Sequence, residues 1–140
     1  MTELLIYYAM RFIGVPYKWG GSNPISGFDC SGFVQECLIA VGFFDSSIDR
    51  NAQILHDYFK DNDFIISTSK GSIAFYGKSI KEIKHIAIMV DNSRIIEAGA
   101  GGPEITDKQH ADLHNAFIRI RPLKYRKDFL IAYSLDKDIK

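Results

Sequence analysis

Apolar residues recur along this chain with two different periods. Through the first sixty positions they return every three or four residues, the spacing of one helical face. Beyond residue 70 they gather into short runs and alternations, the spacing of strands. Residues 2–12 place Leu5, Tyr8, Ala9 and Phe12 on one side, with Thr2 as a cap and Gly14 and Pro16 as the stop. A second helix follows Asp29. Phe33, Val34, Cys37, Leu38 and Val41 form its buried face, Asp29 is a good N-cap type, and Gly42 falls where the helix should end. A third opens at Asp49 or Asn51 and closes near Phe59, with Ile54, Leu55, Tyr58 and Phe59 as its apolar side and Asp61, Asn62 and Asp63 as its breaker.

Residues 72–76, 85–90, 94–98, 116–121 and 129–134 read as strands. The turn at 91–93 makes the second and third of these a hairpin. Helices first and strands afterwards predict an α+β fold with an antiparallel sheet, not alternating βα units.

Composition narrows the class. At 140 residues, 46% apolar, the chain is read as one globular domain (residues 1–140) with a proper core, which excludes disorder. Seventeen basic and seventeen acidic residues cancel, which argues against a general nucleic-acid binder and gives no electrostatic reason to sit on a membrane. No apolar run is long enough to span a bilayer. Near the N-terminus Glu3 stands where an export signal needs bases, and no small-residue cleavage site follows, so export by the usual route is not expected. Cys30 and Cys37 lie on one predicted helix roughly 10 Å apart, too far for a disulfide. Both are expected as free thiols, with Cys37 in the core.

Cys30 falls in the first turn of a buried helix, where unpaired amide hydrogens and the positive end of the dipole favour a thiolate, the attacking form. It reads equally as a small buried hydrophobe. A cysteine nucleophile needs a base and a group to orient that base. Of four histidines, His56 lies mid-helix, where packing or solvation is the default. His110 and His114 are four apart, but Ala111 stands where a zinc-protease helix needs Glu, and structural-zinc spacing is absent, so neither metal nor cofactor is expected. His85 opens an apolar strand, either facing water or leaning over a cleft. Across the hairpin, Glu97 lies in an apolar setting where a carboxylate is costly unless paired, and an imidazolium is a suitable partner. Tyr17 and Trp19, beside Gly20 and Gly21, either pack around a turn or wall a cleft.

The blocks Tyr17-Lys18-Trp19-Gly20-Gly21, Gly27-Phe28-Asp29-Cys30-Ser31-Gly32-Phe33-Val34 and His85-Ile86-Ala87-Ile88-Met89-Val90 with its hairpin closely resemble the NlpC family, papain-like cysteine peptidases of bacterial cell walls. Arg50-Asn51-Ala52-Gln53 and the segment 71–77 are lesser echoes. The resemblance implies a papain-like α+β fold with the cysteine helix packed on an antiparallel sheet, a nucleophile at Cys30 and a base at His85. It implies a ring-orienting residue at Glu97, a position more often His, Asn or Gln in the family. Tyr17 matches an active-site tyrosine, and Asp29 and Ser31 match positions that help hold the substrate's amino end.

The activity so implied is hydrolysis of an amide in peptidoglycan stem peptides, commonly the link from the γ-carboxyl of D-glutamate to the following diamino acid. An N-acetylmuramoyl-L-alanine amidase or a transacylase on the same fold is an alternative, and a non-catalytic wall-binding or virion tail component is another. A phage tail or another delivery assembly would then be a partner. The basic segment 119–127 suits contact with anionic wall polymer but is read in preference as a solvated surface.

Overall fold

In a computed structural model, which describes residues 1–17, 21–23, 27–45, 49–99 and 117–137, three helices lie against a six-stranded antiparallel sheet. The order along the chain is α1 (Thr2–Met10), β1 (Ser22–Asn23), β2 (Gly27–Phe28), α2 (Cys30–Ala40), α3 (Ala52–Asp61), β3 (Phe64–Ile66), β4 (Ile73–Ser79), β5 (Glu82–Met89), β6 (Arg94–Ala98), β7 (Ile118–Pro122) and β8 (Phe129–Lys137). β1 and β2 pair with each other. The main sheet runs β3-β8-β4-β5-β6-β7. This is the expected α+β architecture.

Local signals explain most helix ends. Asp29 caps α2, its Oδ1 accepting from the Gly32 amide at 2.7 Å, and Gly42 leaves the helix at a φ of +82°. Asn51, not Asp49, caps α3 through the Ile54 amide at 2.8 Å. Thr2 does not cap α1. Met1 holds that position with no side-chain hydrogen bond, and the helix gives way to turns after Met10. The apolar side expected for α3 is also rotated. Ile54 is 48% exposed, while Ala52, Leu55, His56 and Phe59 are buried. Packing decides this, because the His56 ring lies edge-on to Phe75 and Tyr133. Two pairings escaped the sequence pattern: the β1–β2 hairpin, and β3, which pairs with β8.

The sheet is buried on both sides, which is why β5 reads as nearly continuous apolar sequence. One face carries Ile73, Phe75, Ile86, Ile88, Ile96 and Ala98 against Leu5 and Ala9 of α1, Phe33, Val34, Cys37 and Leu38 of α2, and Leu55 and Phe59 of α3. Burying each large apolar side chain contributes about 1.5–3 kcal/mol. The other face carries Ala74, Tyr76, Ala87, Met89 and Ile95, covered by Leu123 with Tyr125 and Phe129 packed alongside. Strand alternation puts His85 and Glu97 on this second face. His85 pairs with Tyr76, and the Ile88–Ile96 and Met89–Ile95 register, continued, sets Glu97 opposite Ala87.

Candidate active site

The first turn of α2 is locked from outside the helix. The Asp29 amide donates to the Gly21 carbonyl at 2.9 Å, and a side chain on Gly32 would run into that carbonyl and the Asp29 carboxylate. Only glycine lets the preceding turn come this close. Cys30 is therefore held at the start of the helix, partly exposed, whereas Cys37 is buried one face inward. Burial pushes the Cys37 thiol above its ordinary range, with the Glu36 charge adding to it. That thiol is a core group, as expected.

His85 reaches this turn from the sheet. The Cys30 side chain comes close enough to this ring to help hold its proton. Its Nε2 lies 2.6 Å from Oε1 of Glu97, a contact buried on both sides. With Nε2 engaged by a carboxylate, Nδ1 is the ring nitrogen left for the sulfur. Burial by itself opposes charge on His85, but the Glu97 carboxylate and the Cys30 contact outweigh it and push the imidazole up to about 9. Burial likewise opposes charge on Glu97. The His85 imidazolium, the Tyr125 hydroxyl and the Arg121 guanidinium more than offset it, and its carboxyl is held below the ordinary carboxylate value. The two shifts agree that the pair is ionised.

Glu97 has partners that the sequence did not reveal. The Tyr125 hydroxyl lies 2.8 Å from Oε1 and 2.7 Å from Oε2, and Arg121 Nε lies 3.5 Å from Oε2. Gly99 makes room, since a side chain there would meet the Glu97 carboxylate. Tyr76 backs the His85 ring at 5.4 Å between centroids and ties its own hydroxyl to the Leu123 carbonyl at 2.6 Å. The segment 119–127 is thus only partly a solvated surface. Arg126 is buried, paired with Asp128 at 2.8 and 2.9 Å, and laid over the Tyr76 ring, while Lys124 and Lys127 face water. The alternation of Arg119 and Arg121 on β7, opposite the Glu97 strand, was a readable signal. Nothing local marked Tyr125.

The remaining expected residues divide. Tyr17 is brought close to Cys30 and Asp29, and burial followed by those two neighbours raises its hydroxyl above the ordinary tyrosine value, so it stays protonated. Asp29 serves as the helix cap, and Ser31 is half-buried in the same turn. Trp19, His110 and His114 lie outside the described residues. His56 is remote in role, its Nδ1 on Asp57 Oδ1 at 2.9 Å and its ring in the aromatic core. Among the described residues no three His, Cys, Asp or Glu side chains converge to hold a metal ion.

The sequence profile of the NlpC/P60 family matches residues 14–121, which takes in Tyr17, Cys30, His85 and Glu97. The chain belongs to the NlpC/P60 family. It is 36% identical over 107 residues to the bifunctional muramidase/DL-endopeptidase CwlT of Bacillus subtilis (strain 168), covering 75% of this chain and 31% of CwlT. The chain therefore spans about a third of that curated relative. Among solved structures, the NlpC/p60 domain of the peptidoglycan hydrolase SagA superposes with a TM-score of 0.68 at 22% identity, covering 96% of this chain and 98% of that one. RipD of Mycobacterium tuberculosis, described as a non-catalytic NlpC/p60 domain protein adapted to peptidoglycan binding, gives 0.65 at 17% identity over 94% and 95% of the two chains. These NlpC/P60 likenesses carry the papain-like α+β fold.

Proposed function

We propose that the protein is a cysteine peptidase that hydrolyses an amide bond in peptidoglycan stem peptides at the cell wall. The observation that carries this reading is the buried His85–Glu97 pair, 2.6 Å across, with the Cys30 side chain near enough to favour the charged imidazole. Cys30 sulfur attacks the carbonyl carbon. His85 holds the thiolate as an ion pair and then gives its proton to the leaving amine, and water releases the acyl group. Glu97 fixes Nε2–H as the donor toward itself, which aims Nδ1 at the sulfur. The Gly32 amide is taken by the Asp29 cap, so the Cys30 and Ser31 amides ahead of it are the ones that suit the oxyanion, with the protonated Tyr17 hydroxyl near Cys30.

The bond we infer joins the γ-carboxyl of D-glutamate to the diamino acid, which the DL-endopeptidase description of CwlT supports. The N-acetylmuramoyl-L-alanine amidase and transacylase readings predict different products. Defined muropeptides, digested and weighed by mass spectrometry, test the choice. The expected product ends in γ-D-glutamate with a free diamino acid amine on the other fragment. Release of intact stem peptide from muramic acid overturns the assignment. A second reading, a binding module, takes its support from the fold shared with RipD. It predicts retention on peptidoglycan with no fragment released.

A further inference from the structure

Among the described residues, charges on the second face of the sheet do not balance. Glu97 is fully buried, and its one carboxylate already serves His85, Tyr125 and Arg121. The register sets Arg119 directly opposite Glu97 and Arg121 opposite Ile95, so both arginines rise from β7 on the face that carries His85. Their guanidinium planes are fixed by aromatic rings, Arg119 over Phe117 at 4.9 Å and Arg121 over Tyr125 at 4.5 Å. Stacking orients these groups and neutralises nothing. Among the described residues, the buried Nε of Arg119 has no hydrogen-bond partner, and that of Arg121 has only its 3.5 Å ion-pair contact with Glu97. Arg126 differs, because Asp128 neutralises it. Among the described residues, an imidazolium and two guanidiniums thus face a single carboxylate.

The strand that carries these arginines is tied to the segment that flanks Cys30. Gly14 donates to the Ile118 carbonyl and Ile118 to the Val15 carbonyl, both at 2.8 Å, and Pro16 bridges to Phe117. These bonds lay the segment that carries Tyr17 along the start of β7, and Tyr17 is the neighbour of Cys30. Arg119 is therefore flanked by the Tyr17 segment and by Glu97.

We propose that Arg119 and Arg121 form a carboxylate-binding subsite beside Cys30 and His85, which takes a free carboxylate next to the scissile amide. The identity of the ligand rests on the stem-peptide reading above. A γ-linked D-glutamate keeps its α-carboxylate, and the following diamino acid keeps a carboxyl of its own, so the shared chemistry is a carboxylate one residue from the bond. A planar guanidinium can capture such a group at two points through its terminal nitrogens, and both side chains are partly exposed although their Nε atoms are not. Arg121 already leans on Glu97, which makes Arg119 the main arm.

The test is calorimetric binding of synthetic stem tripeptides to the full chain carrying Cys30→Ala, which prevents turnover. Three ligands are compared: the free acid, the D-glutamate α-amide, and the diamino-acid carboxamide. One amidation is expected to weaken binding about tenfold, and that arm names the carboxylate that is read. Arg119→Gln should remove the difference between acid and amide, and Arg119→Lys should keep part of it. Equal affinity for all three ligands, or an equal loss for acid and amide in Arg119→Gln, overturns the proposal, as does failure to bind any of them. Should Arg119→Gln not fold, Arg119→Lys decides by the same comparison. If the wild-type chain cleaves no stem peptide but discriminates acid from amide through Arg119, the hydrolase reading falls and the subsite stands. Cleavage without discrimination removes the subsite and leaves the hydrolase reading in place.

Discussion

His85 and Glu97, on neighbouring strands of one hairpin, meet through Nε2 and Oε1 at 2.6 Å with their side chains 5% and 0% exposed. A buried carboxylate there does more than aim a ring. It holds the imidazole protonated far into the alkaline range, which a neutral amide in the same place could not do.

The rate profile should show this. His85 must be protonated to stabilise the thiolate and to serve the leaving amine, so kcat/KM should hold until pH approaches about 9 and then fall. Glu97→Gln removes the charge that raises His85, so this limb should move to lower pH and the maximal rate should drop. A limb that stays in place in Glu97→Gln would assign the raised imidazole to another cause.

Stability should follow the same pair. His85 is raised from 6.5 to about 9, so its contribution is complete below pH 6.5 and is lost as pH climbs through 9. Glu97 is lowered from 4.5, so its contribution is complete above pH 4.5 and is lost as pH falls through the depressed value. The melting-temperature gap between wild type and a His85→Gln/Glu97→Gln double variant should be widest from pH 4.5 to 6.5 and should narrow on both sides. A gap that is flat across this range would show that the pair is not ionised in the folded protein.

Tyr125→Phe removes a donor shared by both Glu97 oxygens at 2.7 and 2.8 Å. Hydrogen bonds to buried charged groups contribute about 1.5–3 kcal/mol. The expected outcome is a kcat lowered roughly tenfold with KM little changed, since Glu97 then holds the ring less firmly. Kinetics corrected for folded fraction check it. A loss that tracks only the folded fraction would make Tyr125 a packing residue.

Gly32→Ala pushes a methyl group against the Gly21 carbonyl and the Asp29 cap. Overpacking at backbone costs about 1–3 kcal/mol, and here it also displaces the turn that presents Cys30. Thermal melts and turnover should fall together. A variant as stable and active as wild type would show that this close approach is not needed.

The residues legible in sequence are those whose roles are set locally. Asp29 announced the helix that carries Cys30, and the short turn at 91–93 placed Glu97 within reach of His85. What escaped was set by distant packing. Ile54 has helical apolar spacing yet faces water, because Phe75 and Tyr133 take up His56 on the other side of α3. β3 carries two exposed isoleucines and no alternation, and only its pairing with β8 makes it a strand. Tyr125 sits among lysines and arginines that look solvated. It is turned inward because Glu97 and Tyr76 lie beneath the β7–β8 connection.

Purified peptidoglycan digested by the wild-type chain and by Cys30→Ala, with the soluble fragments weighed and both proteins melted in parallel, bears most directly on the role of the Cys30 sulfur. We predict defined stem-peptide fragments from wild type, none from Cys30→Ala, and closely matched melting temperatures. Fragments released by a folded Cys30→Ala protein at the wild-type rate would contradict it.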